Sequence, residues 1–196
     1  MAKNKLYDLI VSRRSIRFFK QKEVPLSVIK KAINCARLAP SAANLQFLEY
    51  LVIKRKDIKE KVFGCLRFAA YIAPKRNPPR NKRPDFYIVM LINKERSGAP
   101  NLRDIGASAQ NIMLSLLSSR VGSCWLQNID KTSLTAILNI GENFEIDSVI
   151  AAGFPRERPK LENDSKNIKY WLDNRNQLHV PKRPLNDVWH YNSIER

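Results

Sequence analysis

Leu102, Ile105, Ala109, Ile112, Met113, Leu116 and Leu117 recur at intervals of three, four and seven, and this repeat constrains the fold more than any other stretch of the chain. Such spacing lays one continuous apolar face along a helix. A helix over 102–117, with Gly122 just past its end, is therefore predicted to lie on the core. One apolar face needs a second layer to cover it. Residues 86–92 supply it, as an unbroken run of aromatic, β-branched and other apolar side chains typical of a central strand.

Shorter signals fill in the remainder. Leu6, Leu9 and Ile10 predict a first helix, and Val28, Ile29, Ala32, Ile33 and Ala36 predict a second, stopped by Pro40. Residues 50–53 read as a strand and 59–68 as a short helix, while 75–84 (KRNPPRNKRP) holds three prolines and five cations and reads as a solvated loop. Beyond the long helix, 124–126 reads as a brief strand, 134–138 as a helical turn or two, and 146–154 as a buried strand ended by Gly153 and Pro155. The tail, 156–196, is polar with scattered Trp171, Leu178, Val180 and Trp189, a composition suited to wrapping over another surface. Helices and strands intermix without βαβ alternation, so an α+β fold is expected, and 196 residues fit one domain spanning 1–196.

Composition excludes several classes. Even the apolar run through 87–92 falls far short of the ~20 residues of a membrane-spanning helix. The N-terminus offers only the apolar run 9–11 before two arginines, which predicts no secretory signal and a cytoplasmic protein. Cys35, Cys65 and Cys124 form no CxxC pair and are expected to be buried apolar residues, and His179 and His190 lack two-ligand spacing, so no metal site is expected. Lys and Arg number 35 against 18 Asp and Glu, a net charge of +17 that attracts anions. Residues 54–83 carry eleven cations and two acids, about half of the excess, which admits a nucleic-acid binder as one function class. Aromatics interleave only sparsely there, as Phe63, Phe68 and Tyr71.

Two segments carry candidate chemistry. Arg13, Arg14, Ser15 and Arg17 gather fixed cations and a hydroxyl near the end of the first helix, a set able to bind phosphate through charge-assisted bonds. Pro40, Ser41, Ala42, Asn44 and Gln46 follow the second helix on a tight loop, with a hydroxyl and two amides able to bond the edge of a heterocycle. Taken singly, the first also reads as a solvated face and the second as an ordinary turn. Together their order and spacing, RRSIRFF, then VP and a helix, then APSAANLQ, resemble the opening of the FMN-dependent nitroreductase family. The resemblance continues through a short middle segment (VFGCLRFAAYIAPKRNPPRNKRPDFYIVMLI), the helix DIGASAQNIMLSLLSSRVGSCWL, the strand IAAGFPRE and the late HVPKRPL.

The resemblance implies a homodimer with a central antiparallel sheet flanked by helices, each C-terminal tail extending over the other subunit, and FMN in two interface clefts. Arg13, Arg14, Ser15 and Arg17 then surround the FMN phosphate, ribityl chain and pyrimidine edge, with Arg17 nearest that edge. Pro40, Ser41, Ala42 and Asn44 become the loop contributed by the partner subunit, Gln46 joins the cofactor-binding residues, the backbone of Ala152 and Gly153 faces the reactive edge of the flavin, and Lys182 with Arg183 clamps the phosphate. The implied activity takes hydride from NADH or NADPH and passes it to a nitroaromatic or quinone, in two half-reactions at one site, with no side chain acting as nucleophile or base. Dehalogenation, flavin breakdown and heterocycle dehydrogenation are alternatives on the same scaffold. Two departures stand out: Phe47 and Leu48 replace the Pro and aromatic or His common in the family, and the short middle segment leaves the loop 75–84 to edge the cleft, where its cations either meet nicotinamide phosphates or serve only solubility.

Overall fold

The computed structural model describes residues 5–72, 76–97 and 99–194. Its centre is β2 (Phe86–Asn93), buried at every position. Side chains alternate between the two faces of a strand, and here both faces are covered. Phe86, Ile88, Met90 and Ile92 enter one apolar cluster, and Tyr87, Val89 and Leu91 enter the other. The unbroken apolar run is the sequence expression of that double burial. Around β2 the sheet runs β1 (Leu48–Ile53), β2, β4 (Phe144–Gly153), β3 (Gly122–Leu126), antiparallel at every pairing.

On the first face α2 (Leu26–Arg37) and α4 (Leu102–Ser118) pack against each other and the sheet, joining Ile29, Ala32 and Ala36 to Ile105, Ala109, Ile112 and Leu116. Small alanines on both helices permit close approach. The other face is covered by α3 (Lys56–Gly64) and α5 (Lys131–Leu138), through Val62 and Leu134. The fold is thus α+β, as expected from the intermixed elements. The helix expected over 59–68 starts and ends earlier, because Leu66 is drawn into a bridge with Ile129 and Phe68 turns back onto Phe63. Among the described residues no helix is long and apolar enough to cross a membrane.

Two details differ from the sequence reading in function rather than position. Gly122 does not cap α4; the helix ends through Arg120 in the left-handed region, at φ 62°. Gly122 opens β3 instead, where a Cβ would stand 2.7 Å from Ile16 Cγ1. The tail is also more ordered than its composition suggests. β5 (Lys160–Asn163), β6 (Trp171–Leu172) and β7 (Leu178–Lys182) form a separate three-stranded sheet, β5 parallel and β6 antiparallel to β7. A buried His179 ties it together: Nδ1 lies 2.6 Å from Glu162, Nε2 3.3 Å from Asp173, and the ring stacks on Trp171 at 4.1 Å. In contrast α1 (Lys5–Ser12) buries none of its residues and exposes Leu6, Ile10 and Val11.

Gly122→Ala should lower the unfolding free energy by about 1–3 kcal/mol, since Ile16 must shift to admit the methyl group; chemical denaturation checks this, and a midpoint equal to wild type would show the contact to be slack. The tail sheet has its own pH response. The His179 bond is the chief cause holding Glu162 below the ordinary carboxylate range, and the Gln177 N–H does the same for Asp173. Depressed folded values mean that these groups stabilise the tail fully above about pH 4 and progressively less as the pH falls through those values. Tryptophan emission should change in that acid window through Trp171, and Glu162→Gln should remove part of the change.

Candidate functional site

The site grows from the stretch that follows α1, residues 13–19. Ser15 pairs in parallel with Ser123 of β3, the Ile16 N–H donates to the Ser123 carbonyl at 2.9 Å, and Phe19 pairs with Pro155 just past β4. Buried Ile16 and Phe19 anchor the segment. Its polar side chains are thereby held at one place: Arg13, Arg14, Ser15 and Arg17, with Tyr170, Val180 and Lys182 from the tail, line a cavity of about 210 Å³. Five residues singled out in the sequence, separated by up to 169 positions, meet there.

The electrostatics of this cavity are one-sided. Arg14 donates from Nη1 to the carbonyls of Val11 and Arg13, at 2.8 and 2.6 Å. Arg17 lies over the Tyr170 ring at 5.2 Å. Burial, with Arg14 close by, pulls the Arg13 guanidinium below its ordinary pKa. Among the described residues none of Arg13, Arg14, Arg17 and Lys182 has a carboxylate at ion-pair distance. Buried guanidinium nitrogens, Arg14 Nε and Arg17 Nε, lack hydrogen-bond partners altogether. Orphaned buried donors are costly, since each has given up water without gaining an acceptor.

The nearest carboxylate is spent on the backbone. Glu157 accepts from the N–H groups of Arg17 and Phe18, the latter at 3.0 Å, and faces buried Arg76 with its other oxygen. Burial, with Arg17 nearby, lowers the Arg76 pKa to about 10. Glu157 therefore fixes the path of the chain without neutralising the cavity. Sequence reasoning missed both Glu157 and Tyr170; the signal available was their place beside the GFPRE and tail segments, with no pattern of their own.

A larger cavity of about 500 Å³ shares Arg13 and Arg14 with the first. Ile16, Met113, Leu117 and Val121 give it apolar walls, and Arg120 and Arg158 add cations. A cavity with apolar walls and a cationic rim suits a flat heterocycle carrying an anionic chain.

The second motif sits elsewhere. Pro40, Ser41 and Gln46 line a separate pocket of about 110 Å³ with Tyr50, Asp104 and Ser108, and share no lining residue with the cation cavity. Ala43, Asn44 and Gln46 adopt positive φ of 50°, 53° and 50°, a strained path for residues other than glycine. Asp104, buried in the first turn of α4, holds it: its carboxylate accepts from Ser41 Oγ at 3.0 Å and from the Ala42 N–H at 2.8 Å. Ala42 and Asn44 are exposed. Asp104 was also missed, its role being invisible until the loop and helix are brought together.

The remaining candidates stand apart from the cavities. Ala152 and Gly153 are buried in β4, paired to Ser123 and Gly122, and a Cβ on Gly153 would meet Phe19 at 3.1 Å. They back the 13–19 segment and line no cavity described above. Arg183 is exposed and donates to the Asp187 carbonyl. Asp104→Ala should cost about 1–3 kcal/mol by stranding two donors, and should speed proteolytic cleavage within 40–46; unchanged cleavage would show that the loop holds itself.

Comparison with known proteins agrees with the fold. The Nitroreductase family model matches residues 10–154. An Archaeoglobus fulgidus protein, provisionally named NADH dehydrogenase/NAD(P)H nitroreductase, is 27% identical over 156 residues, covering 76% of this chain and 84% of that one. Mouse iodotyrosine deiodinase 1 is 37% identical over only 62 residues, 32% of this chain and 22% of that protein. In fold, the FMN-dependent nitroreductase of Clostridium difficile R20291 superposes with a TM-score of 0.70 at 22% identity, covering 95% of this chain and 98% of that chain. With a family match across most of its length and a fold to agree, this chain belongs to the nitroreductase family.

Proposed function

We propose that the chain is an FMN-dependent oxidoreductase that takes hydride from NADH or NADPH and passes it to a nitroaromatic or quinone. One observation carries the reading: four cations, Arg13, Arg14, Arg17 and Lys182, line one cavity with no carboxylate at ion-pair distance among the described residues. Arg13, Arg14 and Lys182 supply charge for a phosphate, and Ser15 a hydroxyl. Arg17, held by Glu157 through its backbone and by Tyr170 through its side chain, supplies a cation for the pyrimidine edge of the ring. FMN, when bound, supplies the atom that accepts and gives up hydride. The protein's part is to hold the cofactor, place positive charge where the reduced ring becomes anionic, and keep water from the apolar walls of the larger cavity.

The reading includes a homodimer. Exposed Leu6, Ile10 and Val11 of α1, and exposed Leu185, Val188 and Trp189 of the tail, are apolar surface that a second copy would cover. The loop holding Pro40, Ser41, Ala42, Asn44 and Gln46, which lies away from its own cation cavity, is the contribution each subunit makes to its partner's site. Ala152 and Gly153 support the cofactor segment from behind, and Arg183 adds charge beside Lys182. A second reading, reductive dehalogenation by the same bound flavin, draws on the local likeness to iodotyrosine deiodinase.

The purified protein should show flavin absorbance that bleaches when NADH or NADPH is added without oxygen. Arg14→Ala and Arg17→Ala should each weaken FMN binding by about tenfold or more, the effect of losing a charge-assisted bond. Unchanged affinity in both variants would overturn this assignment of the cavity. Turnover of quinones against release of halide from a halogenated phenol separates the two readings.

A further inference from the structure

The basic stretch at 54–83 does not form one continuous cationic track. Lys54 pairs with Glu23 and lies near Asp85, Lys59 lies near Asp85, Arg55 pairs with Asp57, Arg83 with Glu60, and Arg76 with Glu157. Nearly half of its cations are thus committed to neighbouring carboxylates. A polyanion that needs a long run of free charge finds that run interrupted.

One of its cations outside these pairs, Lys82, joins Lys20, Lys22 and Arg156 from elsewhere in the chain on a ledge built from three segments. The Phe19 N–H donates to the Lys82 carbonyl at 2.9 Å, the Lys20 N–H to the Phe154 carbonyl at 2.8 Å, and the Arg156 N–H to the Phe18 carbonyl at 2.9 Å. These bonds lace 18–20, 80–83 and 154–156 side by side. Lys82 Nζ lies 4.8 Å above the Phe18 ring, Lys22 Nζ lies 4.9 Å above the Phe154 ring, and Arg156 reaches the Asn81 carbonyl at 3.5 Å. Among the described residues none of Lys20, Lys22, Lys82 and Arg156 has a carboxylate at ion-pair distance. The local acids Glu60, Asp85 and Glu157 are already engaged elsewhere.

The ledge is continuous with the cofactor segment. Residues 13–19 pass directly from the cation cavity to it, and at about 3.3 Å per extended residue Lys20 stands roughly 10 Å from Arg17. A donor whose nicotinamide lies near the Arg17 end must carry its adenosine end outward over the surrounding surface. Two charges distinguish the available donors there: NADPH bears a terminal 2′-phosphate, close to a dianion at neutral pH, and NADH bears none. A dianion is held best by several cations together, and the backbone bonds between 18–20, 80–83 and 154–156 bring the segments that carry these four side by side.

We propose that Lys20, Lys22, Lys82 and Arg156 form a second anion site that takes the 2′-phosphate of the nicotinamide donor, so that the enzyme uses NADPH in preference to NADH. The proposal rests on the hydride-donor reading above. It makes specificity a property of the middle segment and the strand beside it, apart from the residues that hold FMN.

The test uses the FMN-loaded protein in two measurements. Calorimetry should show adenosine 2′,5′-bisphosphate binding at least about tenfold more tightly than adenosine 5′-monophosphate, with the difference lost in Lys82→Gln/Arg156→Gln. Anaerobic flavin reduction should then half-saturate at lower NADPH than NADH, and the double variant should raise the NADPH value about tenfold while moving the NADH value by less than about twofold. Equal handling of the two donors by wild type, or an equal loss for both in the variant, would overturn the proposal. Reduction by neither donor would remove the hydride-donor reading, and selective bisphosphate binding lost in the variant would still support the ledge as a 2′-phosphate site. Duplex DNA binding that the variant abolishes, without selective bisphosphate binding, would assign the ledge to a polyanion instead.

Discussion

Everything at the candidate site depends on how closely residues 13–19 lie against the sheet. Ile16 rests on Gly122, where no side chain intervenes, and its N–H is satisfied by Ser123 of the edge strand β3. Three residues later Phe19 is wholly buried against Gly153. Two glycines, one at each of two strand ends, thus make room for two apolar anchors. With its apolar residues pinned, the segment is stiff, and Arg13, Arg14, Ser15 and Arg17 inherit fixed positions. Preorganised cations act on a bound anion more strongly than mobile surface ones, because little order remains to be gained on binding.

Carboxylates in this protein are deployed as much against backbone as against charge. Glu157 serves the Arg17 and Phe18 amides, and Asp104 serves the Ala42 amide and the Ser41 hydroxyl. Each fixes an irregular segment, where no regular hydrogen-bond ladder is available to do so. With 18 acids against 35 bases, spending the acids on architecture leaves the cation cavity strongly positive. The same economy of acids leaves one cavity lined by cations while neutralising much of the basic middle stretch.

The fold was largely legible in the sequence because its core elements carry strong periodicity. The face of α4 and the unbroken run of β2 declared both the helix layer and the doubly buried strand it covers. Gly122 shows where local reading stops: a glycine soon after a helix suggests a cap, and only the crossing of Ile16 reveals a demand for close approach. Within the site, Arg13, Arg14, Ser15, Arg17 and Lys182 were visible as residues, and the structure adds that they converge. Glu157, Asp104 and Tyr170 were not visible, since each acts across a long sequence separation on a partner that has no local pattern. Ala152 and Gly153, expected from the resemblance at the cofactor's reactive edge, lie in β4 paired to Ser123 and Gly122.

The long helix α4 has one more consequence. Asp104, near its start, grips the 40–46 loop, while Met113 and Leu117, near its end, wall the larger cavity. Thirteen residues at 1.5 Å each make it a rod that keeps these two places about 20 Å apart. No small movement within one chain can bring that loop to that cavity. The helix acts as a spacer that holds the Asp104-gripped loop and the larger cavity at opposite ends of one chain.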